Sequence, residues 1–317
     1  MLMRVVKIVN LIQVPAMIKK ISVSCWCETY SRTMLIFILF ALFVFFATHN
    51  SYAVKKEGIK VFIITDMEGT AGVFNFEDYA YPTGKYYEKA RSLVTQEVNA
   101  AVQGAFDGGA TEVIVLDGHG AGAINIEELH PEAKLITGGG YDFTTTIDST
   151  FSAAFMIGQH PMAHAPGGNM DHSWSSQTIH TVWLNGKEIG EIGINTILAG
   201  YYGIPMVLLT GDTAACNEMK ALIPNAVTVA VKEGISRASA KSLSVRKAQE
   251  LIHAGAKEAI QRLSEIKPYF VEPPYTFIYQ YHKIVGAGHF HLPKDEKVLP
   301  EMQVFKAIDF LELLRKK

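Results

Sequence analysis

Apolar and polar positions alternate between two periods along this chain. Residues 60–65, with the apolar Val61–Ile64 at their centre, read as a buried strand. Residues 85–107 carry Leu93, Val94, Val98, Ala101, Val102 and Phe106 at helical spacing, and Gly108-Gly109 stop them. "TEVIVLDGHG" (111–120) and "AAFMIGQH" (153–160) are further strands. Strand, helix, strand in that order predicts a right-handed crossover and a parallel sheet. "HTVWLNGKEIGE" (180–191) reads as a hairpin turning at Asn185-Gly186, with Glu191 on its return arm. "EIGINTILAGYYG" resembles a helix ending at Gly203, and residues 244–265 form an amphipathic helix. "IPMVLLTGD", "AVTVAVKE" and "YTFIYQYH" are strand-like, and a last helix is expected near 303–315. The pattern predicts an α/β fold, doubly wound, with a mostly parallel sheet and a smaller C-terminal subdomain.

The first 53 residues break this pattern. "MLIFILFALFVFFA" (34–47) is apolar and uncharged, short of the roughly 20 residues a membrane span needs and typical of a signal-peptide core. Arg4, Lys7, Lys19, Lys20 and Arg32 precede it against Glu28 alone, and Ser51 and Ala53 follow as small cleavage-site residues. Residues 1–53 are therefore expected to be a signal peptide and leader, cleaved after Ala53, with translation starting at Met1 or Met17. The mature protein would be exported, periplasmic or secreted. The alternative is an anchor formed by 34–47. Without the leader, Lys plus Arg falls from 29 to 24 and Asp plus Glu from 31 to 30, leaving about −6. That balance argues against a nucleic-acid partner. Cys25 and Cys27 leave with the leader, so Cys216 has no intrachain disulfide partner.

Chemistry gathers at the predicted strand ends, where open parallel sheets form their sites. The first run ends in "TDMEG", and Asp66 and Glu68, two apart, face one small volume if the strand continues. Two buried anions repel, and a cation relieves them. The second strand adds Asp117 and His119, the third His160, and the hairpin Glu191. Mixed carboxylate and imidazole donors suit zinc, manganese or iron rather than calcium. Two imidazoles together with these carboxylates exceed one catalytic zinc and suit a pair of ions, which implies hydrolysis.

"TDMEG", "DGHG", "GQH" and "GE" in this order, with "ELHPEAKLITGG" at 128–139 and "LAGYYGIPMVLLTGD" at 198–212, resemble the zinc-dependent D-aminopeptidases of the bacterial dipeptide-operon type. The resemblance is best over 60–250 and weaker over 251–317, within a catalytic domain of 54–317. It implies a dinuclear enzyme, with two Zn2+ per subunit, that removes N-terminal D-amino acids, D-Ala preferred, from short peptides. It implies Asp66, Glu68, His119, His160 and Glu191 as metal ligands, with Asp66 bridging. It implies His172, in "GGNMDHSW", as the catalytic histidine, in a loop one residue longer than the family pattern on either side of it. His164 is the alternative in that loop. The mechanism expected is attack on the first carbonyl by a metal-bridged hydroxide, with His172 as general acid/base or oxyanion partner. A homo-oligomeric, ring-like assembly is also implied, and no stable membrane association once the leader is cleaved.

Other residues receive structural readings. His130 is expected in a structural loop, Asp212 as a helix N-cap, Cys216 buried on a helix, and His289 and His291 on a polar strand face rather than at a second metal site. Two rival functions remain: a dinuclear phosphoesterase, disfavoured because no basic cluster adjoins the strand ends, and a non-catalytic exported protein that binds peptide or metal.

Overall fold

The computed structural model describes residues 58–138, 143–282 and 301–316. The run after Lys60 forms β1 (Lys60–Thr65), and the helical pattern forms α1 (Tyr87–Gly108), closed by Gly109 at φ 111° in the left-handed region. Then come β2 (Glu112–Asp117), β3 (Ala133–Ile136) and β4 (Ala153–Gln159). A hairpin of β5 (Ile179–Leu184) and β6 (Lys187–Glu188) follows, then α2 (Glu191–Tyr201), β7 (Met206–Asp212) and α3 (Thr213–Leu222). β8 (Val227–Ser236), β9 (Ser239–Ser242) and α4 (Val245–Gln261) complete the larger part of the fold.

These strands form a seven-stranded sheet in the order β3-β2-β1-β4-β7-β8-β9, parallel except for β8 with β9. All residues of β4 and β7 are buried, as parallel strands covered on both faces must be. Helices α1 and α4 pack together, and a Cβ on Gly104 would lie 2.3 Å from the His253 carbonyl, so glycine permits their approach. Helices α2 and α3 contact each other and strand β7. The chain runs outward from β1 through β2 to β3, then returns to lay β4 on the other side of β1. The β1/β4 pair is therefore a switch point, where such sheets open a crevice.

A second, antiparallel sheet has the order β11-β10-β5-β6, with β10 (Tyr275–Tyr281) and β11 (Met302–Ala307) supplied by the C-terminal part. The smaller portion is thus C-terminal strands completed by the hairpin. Asn185 (φ 51°) and Gly186 (φ 77°) make the predicted turn. Two expectations are corrected. The return arm ends at Glu188, and Glu191 is the first residue of α2. The segment expected as one helix over 303–315 divides into β11 and the short α5 (Phe310–Arg315), because Met302–Ala307 pairs with β10.

The leader 1–53 and the pair His289 and His291 lie outside the described residues. The described residues fall within one compact unit. Among them no helix is long and apolar enough to cross a membrane.

Candidate metal centre

The switch point assembles the site. Asp66 and Glu68 leave the end of β1, His119 follows β2, and His160 follows β4. Glu191 opens α2, and His172 comes from the loop between β4 and β5. Glycines let the two central strand ends meet. Gly158 has φ 76°, and a Cβ there would lie 2.1 Å from the Asp66 carbonyl. A Cβ on Gly69 would lie 2.1 Å from the Gln159 carbonyl. Backbone hydrogen bonds seal the contact, from Asp66 N to Ile157 O at 2.8 Å and from Gly69 N to Gly158 O at 2.7 Å.

The six side chains converge as two trios, Asp66/Glu68/His119 and His160/His172/Glu191. Within each, one donor atom per residue lies within 4.8 Å of the others. His160 joins them: its Nε2 is 3.2 Å from Asp66 Oδ2 and 3.3 Å from Glu191 Oε2. His119 Nε2 is 3.3 Å from Glu68 Oε1. The rings of His160 and His172 stack at 3.8 Å.

Whether these residues fit a metal is decided by their unpartnered atoms. His160 Nδ1 lies 2.9 Å from the Pro161 carbonyl and His172 Nδ1 lies 2.9 Å from the Met170 carbonyl. A carbonyl only accepts, so each Nδ1 donates, which leaves each Nε2 as the atom a metal would take. His160 Nε2, Glu68 Oε2 and His119 Nδ1 are buried without a hydrogen-bond partner. Such orphaned atoms are rare in folded proteins, and a cation among them accounts for the cluster.

The electrostatics say the same. Burial, then the neighbouring Glu68, pushes Asp66 up to about 7. Burial disfavours charge on Glu68, yet His119 holds it well below the carboxylate range. Burial likewise disfavours the imidazoliums, but Glu68 pushes His119 up to about 9, and Glu191 with Asp66 holds His160 well above its ordinary value. Burial and then His160 push His172 down. Three carboxylates demand positive charge here, and protons on imidazoles supply it when nothing else does. The donor set fits zinc.

A family model for D-aminopeptidases (peptidase M55) matches residues 59–315. This chain belongs to the D-aminopeptidase family. A D-aminopeptidase of Bacillus subtilis (strain 168) is 38% identical over 220 residues, 68% of this chain and 78% of that one. The solved structure of the Zn-dependent D-aminopeptidase DppA from Bacillus subtilis, a self-compartmentalizing protease, superimposes with a TM-score of 0.74 at 31% identity, covering 81% of this chain and 94% of that one. The fold is that of these D-aminopeptidases, and the protein is a metallo-aminopeptidase.

Around this D-aminopeptidase centre, several residues differ from the simplest sequence reading. Asp117 is at the right strand end but does not join a trio. Its carboxylate accepts from the amides of Ala123 (2.9 Å) and Ile124 (3.1 Å) and so shapes the loop carrying His119. His164 points away, its Nε2 3.0 Å from the His180 carbonyl. His130, Asp212 and Cys216 take their structural places: His130 Nδ1 accepts from Glu132 N, Asp212 caps α3 through Ala214 N at 2.6 Å, and Cys216 is buried.

Lys232, on β8, is the residue that sequence reasoning missed. Its buried ammonium donates to the Glu68 carbonyl, to the Val73 carbonyl (2.6 Å) and to Asn169 Oδ1 (2.8 Å). It thereby ties the Glu68 turn to the loop of His172. Trp174 N donates to Glu191 Oε2 at 3.1 Å and fixes that carboxylate. A cavity of about 450 Å³ opens over the centre, lined by Asp66, Glu68, His119, His172 and Glu191, with Phe76 and Trp174 as apolar walls.

Proposed function

We propose that this chain is a dinuclear zinc aminopeptidase that releases the N-terminal residue, a D-amino acid such as D-Ala, from short peptides. The observation that carries the reading is the pair of donor trios meeting at Asp66 and His160 beneath one open cavity. Asp66, Glu68 and His119 would hold one ion, and His160 and Glu191 the other, with Asp66 between them. A zinc pair so held supplies Lewis acidity and a water of lowered pKa.

The remaining work falls to side chains. His172 lines the cavity and donates from Nδ1 to the Met170 carbonyl, so its Nε2 can take a proton and return it to the departing amine. The edge of Phe76, 5.2 Å away, and the stacked His160 hold its ring in place. The names of the two relatives support the D-peptide class. The self-compartmentalizing relative supports a homo-oligomer whose walls admit only short peptides. The apolar stretch at 34–47 supports export, with the leader removed after Ala53. Among the described residues lining the cavity there is no Lys or Arg, which disfavours a phosphate substrate.

The test is alanine release by the zinc-loaded protein from D-Ala-D-Ala and L-Ala-L-Ala, with p-nitrophenyl phosphate alongside. Release from the D-peptide alone is expected. Equal release from both peptides would overturn the stereochemical part, and phosphate release without peptide cleavage would overturn the class.

A further inference from the structure

A cavity of about 330 Å³ shares no lining residue with the one over the metal centre. It lies where the β5–β6 hairpin meets α2, α3 and the chain ahead of β10. Met162, Leu184, Ile189, Ile197, Leu222 and Val271 give it apolar walls, and the exposed Lys187, on β6, stands at its rim. Its volume is within the roughly 300–1,000 Å³ of a pocket for a whole small molecule.

One carboxylate breaks the apolar lining. Glu218, on α3, accepts from Met162 N through Oε2 at 2.9 Å. Its Oε1 has no hydrogen-bond partner, yet it is not sealed in the interior as Glu68 Oε2 is. It keeps open surface beside Gly190, where a Cβ would lie 3.5 Å from it, and Glu218 lines the cavity. Burial pushes this carboxyl up to about 7, so its ionised form gains from a cation brought against it. Lys187 forms no ion pair with it, and among the described residues no other cationic side chain lines the cavity. An anion would be repelled here, and a wholly apolar molecule would leave Oε1 dry and unpaired. A cationic head on an aliphatic body satisfies both the carboxylate and the walls. The cavity also touches the segments that carry two candidate ligands. Met162 is two residues past His160, and Ile189 is two before Glu191.

We propose that this cavity is a binding site for a small aliphatic amine, separate from the catalytic cavity. The protonated amine donates to Glu218 Oε1, and its hydrocarbon body lies on Ile189, Ile197, Leu222 and Val271. The site goes beyond the aminopeptidase reading and does not depend on it.

Calorimetric titration of the zinc-loaded full chain with isopentylamine tests it, at about pH 8, where the amine is protonated and the Glu218 carboxyl ionised. Isopentyl alcohol, of the same shape without the charge, is the control, and zinc content and melting temperature are recorded for every variant. The wild type should bind the amine and bind the alcohol at least tenfold more weakly. Glu218→Gln, which keeps an acceptor for Met162 N, should weaken the amine about tenfold, a loss of about 1.4 kcal/mol, with zinc content unchanged. Ala221→Trp, at an exposed lining position on α3, should weaken it at least as much by filling the cavity. Amine that binds the zinc instead would keep its affinity in both variants, and undiminished binding in either folded variant would overturn the site. So would a wild type that takes up no amine, or one that holds the alcohol equally well. If Glu218→Gln does not fold, Ala221→Trp decides. Peptide cleavage enters none of these outcomes, so failure of this site and failure of the aminopeptidase reading are read apart.

Discussion

His172 and Lys232 show two ways in which a single side chain serves this centre. His172 is within coordinating reach of His160 and Glu191, but its Nε2 also faces the open cavity. If its work is proton transfer, His172→Ala should keep the zinc content of the wild type while turnover falls by about 100-fold or more. Zinc analysis and peptide assay on the same preparation check this, and loss of zinc would make His172 a ligand. Lys232 holds three acceptors with one buried ammonium. Lys232→Met should destabilise the fold by about 3–5 kcal/mol, read as a lowered denaturant midpoint, because it strands those acceptors in the core. The candidate ligands were legible because acids and imidazoles stand where apolar runs end. Asp117 satisfies the same rule, but only coordinates reveal that the amides of Ala123 and Ile124 capture it. Lys232 was not legible at all. Strict alternation along "VTVAVKE" puts it outside with Thr228 and Ala230, whereas the pairing with β7 slips between Gly211 and Asp212 and turns both Val231 and Lys232 inward.

At the scale of elements, the close approach of the ends of the paired strands β1 and β4 is what makes the centre possible. Gly158 occupies the left-handed region and admits the Asp66 carbonyl where a Cβ would stand. Gly158→Ala should therefore separate the two strand ends, cost at least about 3 kcal/mol and lower zinc content, measured by chemical denaturation and elemental analysis. A variant that keeps wild-type stability and zinc would show that the close approach is dispensable. Most elements followed from period alone: long apolar runs gave the central strands, and Asn185-Gly186 gave the hairpin. The second sheet did not, because its order is non-local. "QVFKAIDFLELL" reads as one helix by its apolar spacing, and only pairing with β10 makes Met302–Ala307 a strand. Glu191 left the hairpin arm because β6 ends at Glu188, and it opens the helix read from "EIGINTILAGYYG" without leaving the site.

For the whole molecule, the candidate centre lies at the switch point of the sheet, where two carboxylates from the end of β1 meet a third from the start of α2. Bound zinc should then stabilise the native state. At 100 times the dissociation constant each site contributes about 2.7 kcal/mol, so chelation should lower the melting temperature by roughly 5 °C or more. Differential scanning calorimetry before and after chelator treatment checks this, and an unchanged transition would mean that the centre does not depend on metal. The most direct measurement is the zinc stoichiometry of the purified wild-type protein beside Asp66→Ala, by elemental analysis. Two trios meeting at Asp66 predict about two zinc ions per chain in the wild type and fewer than one in the variant. A wild type without zinc, or a variant that retains two ions, would contradict the account.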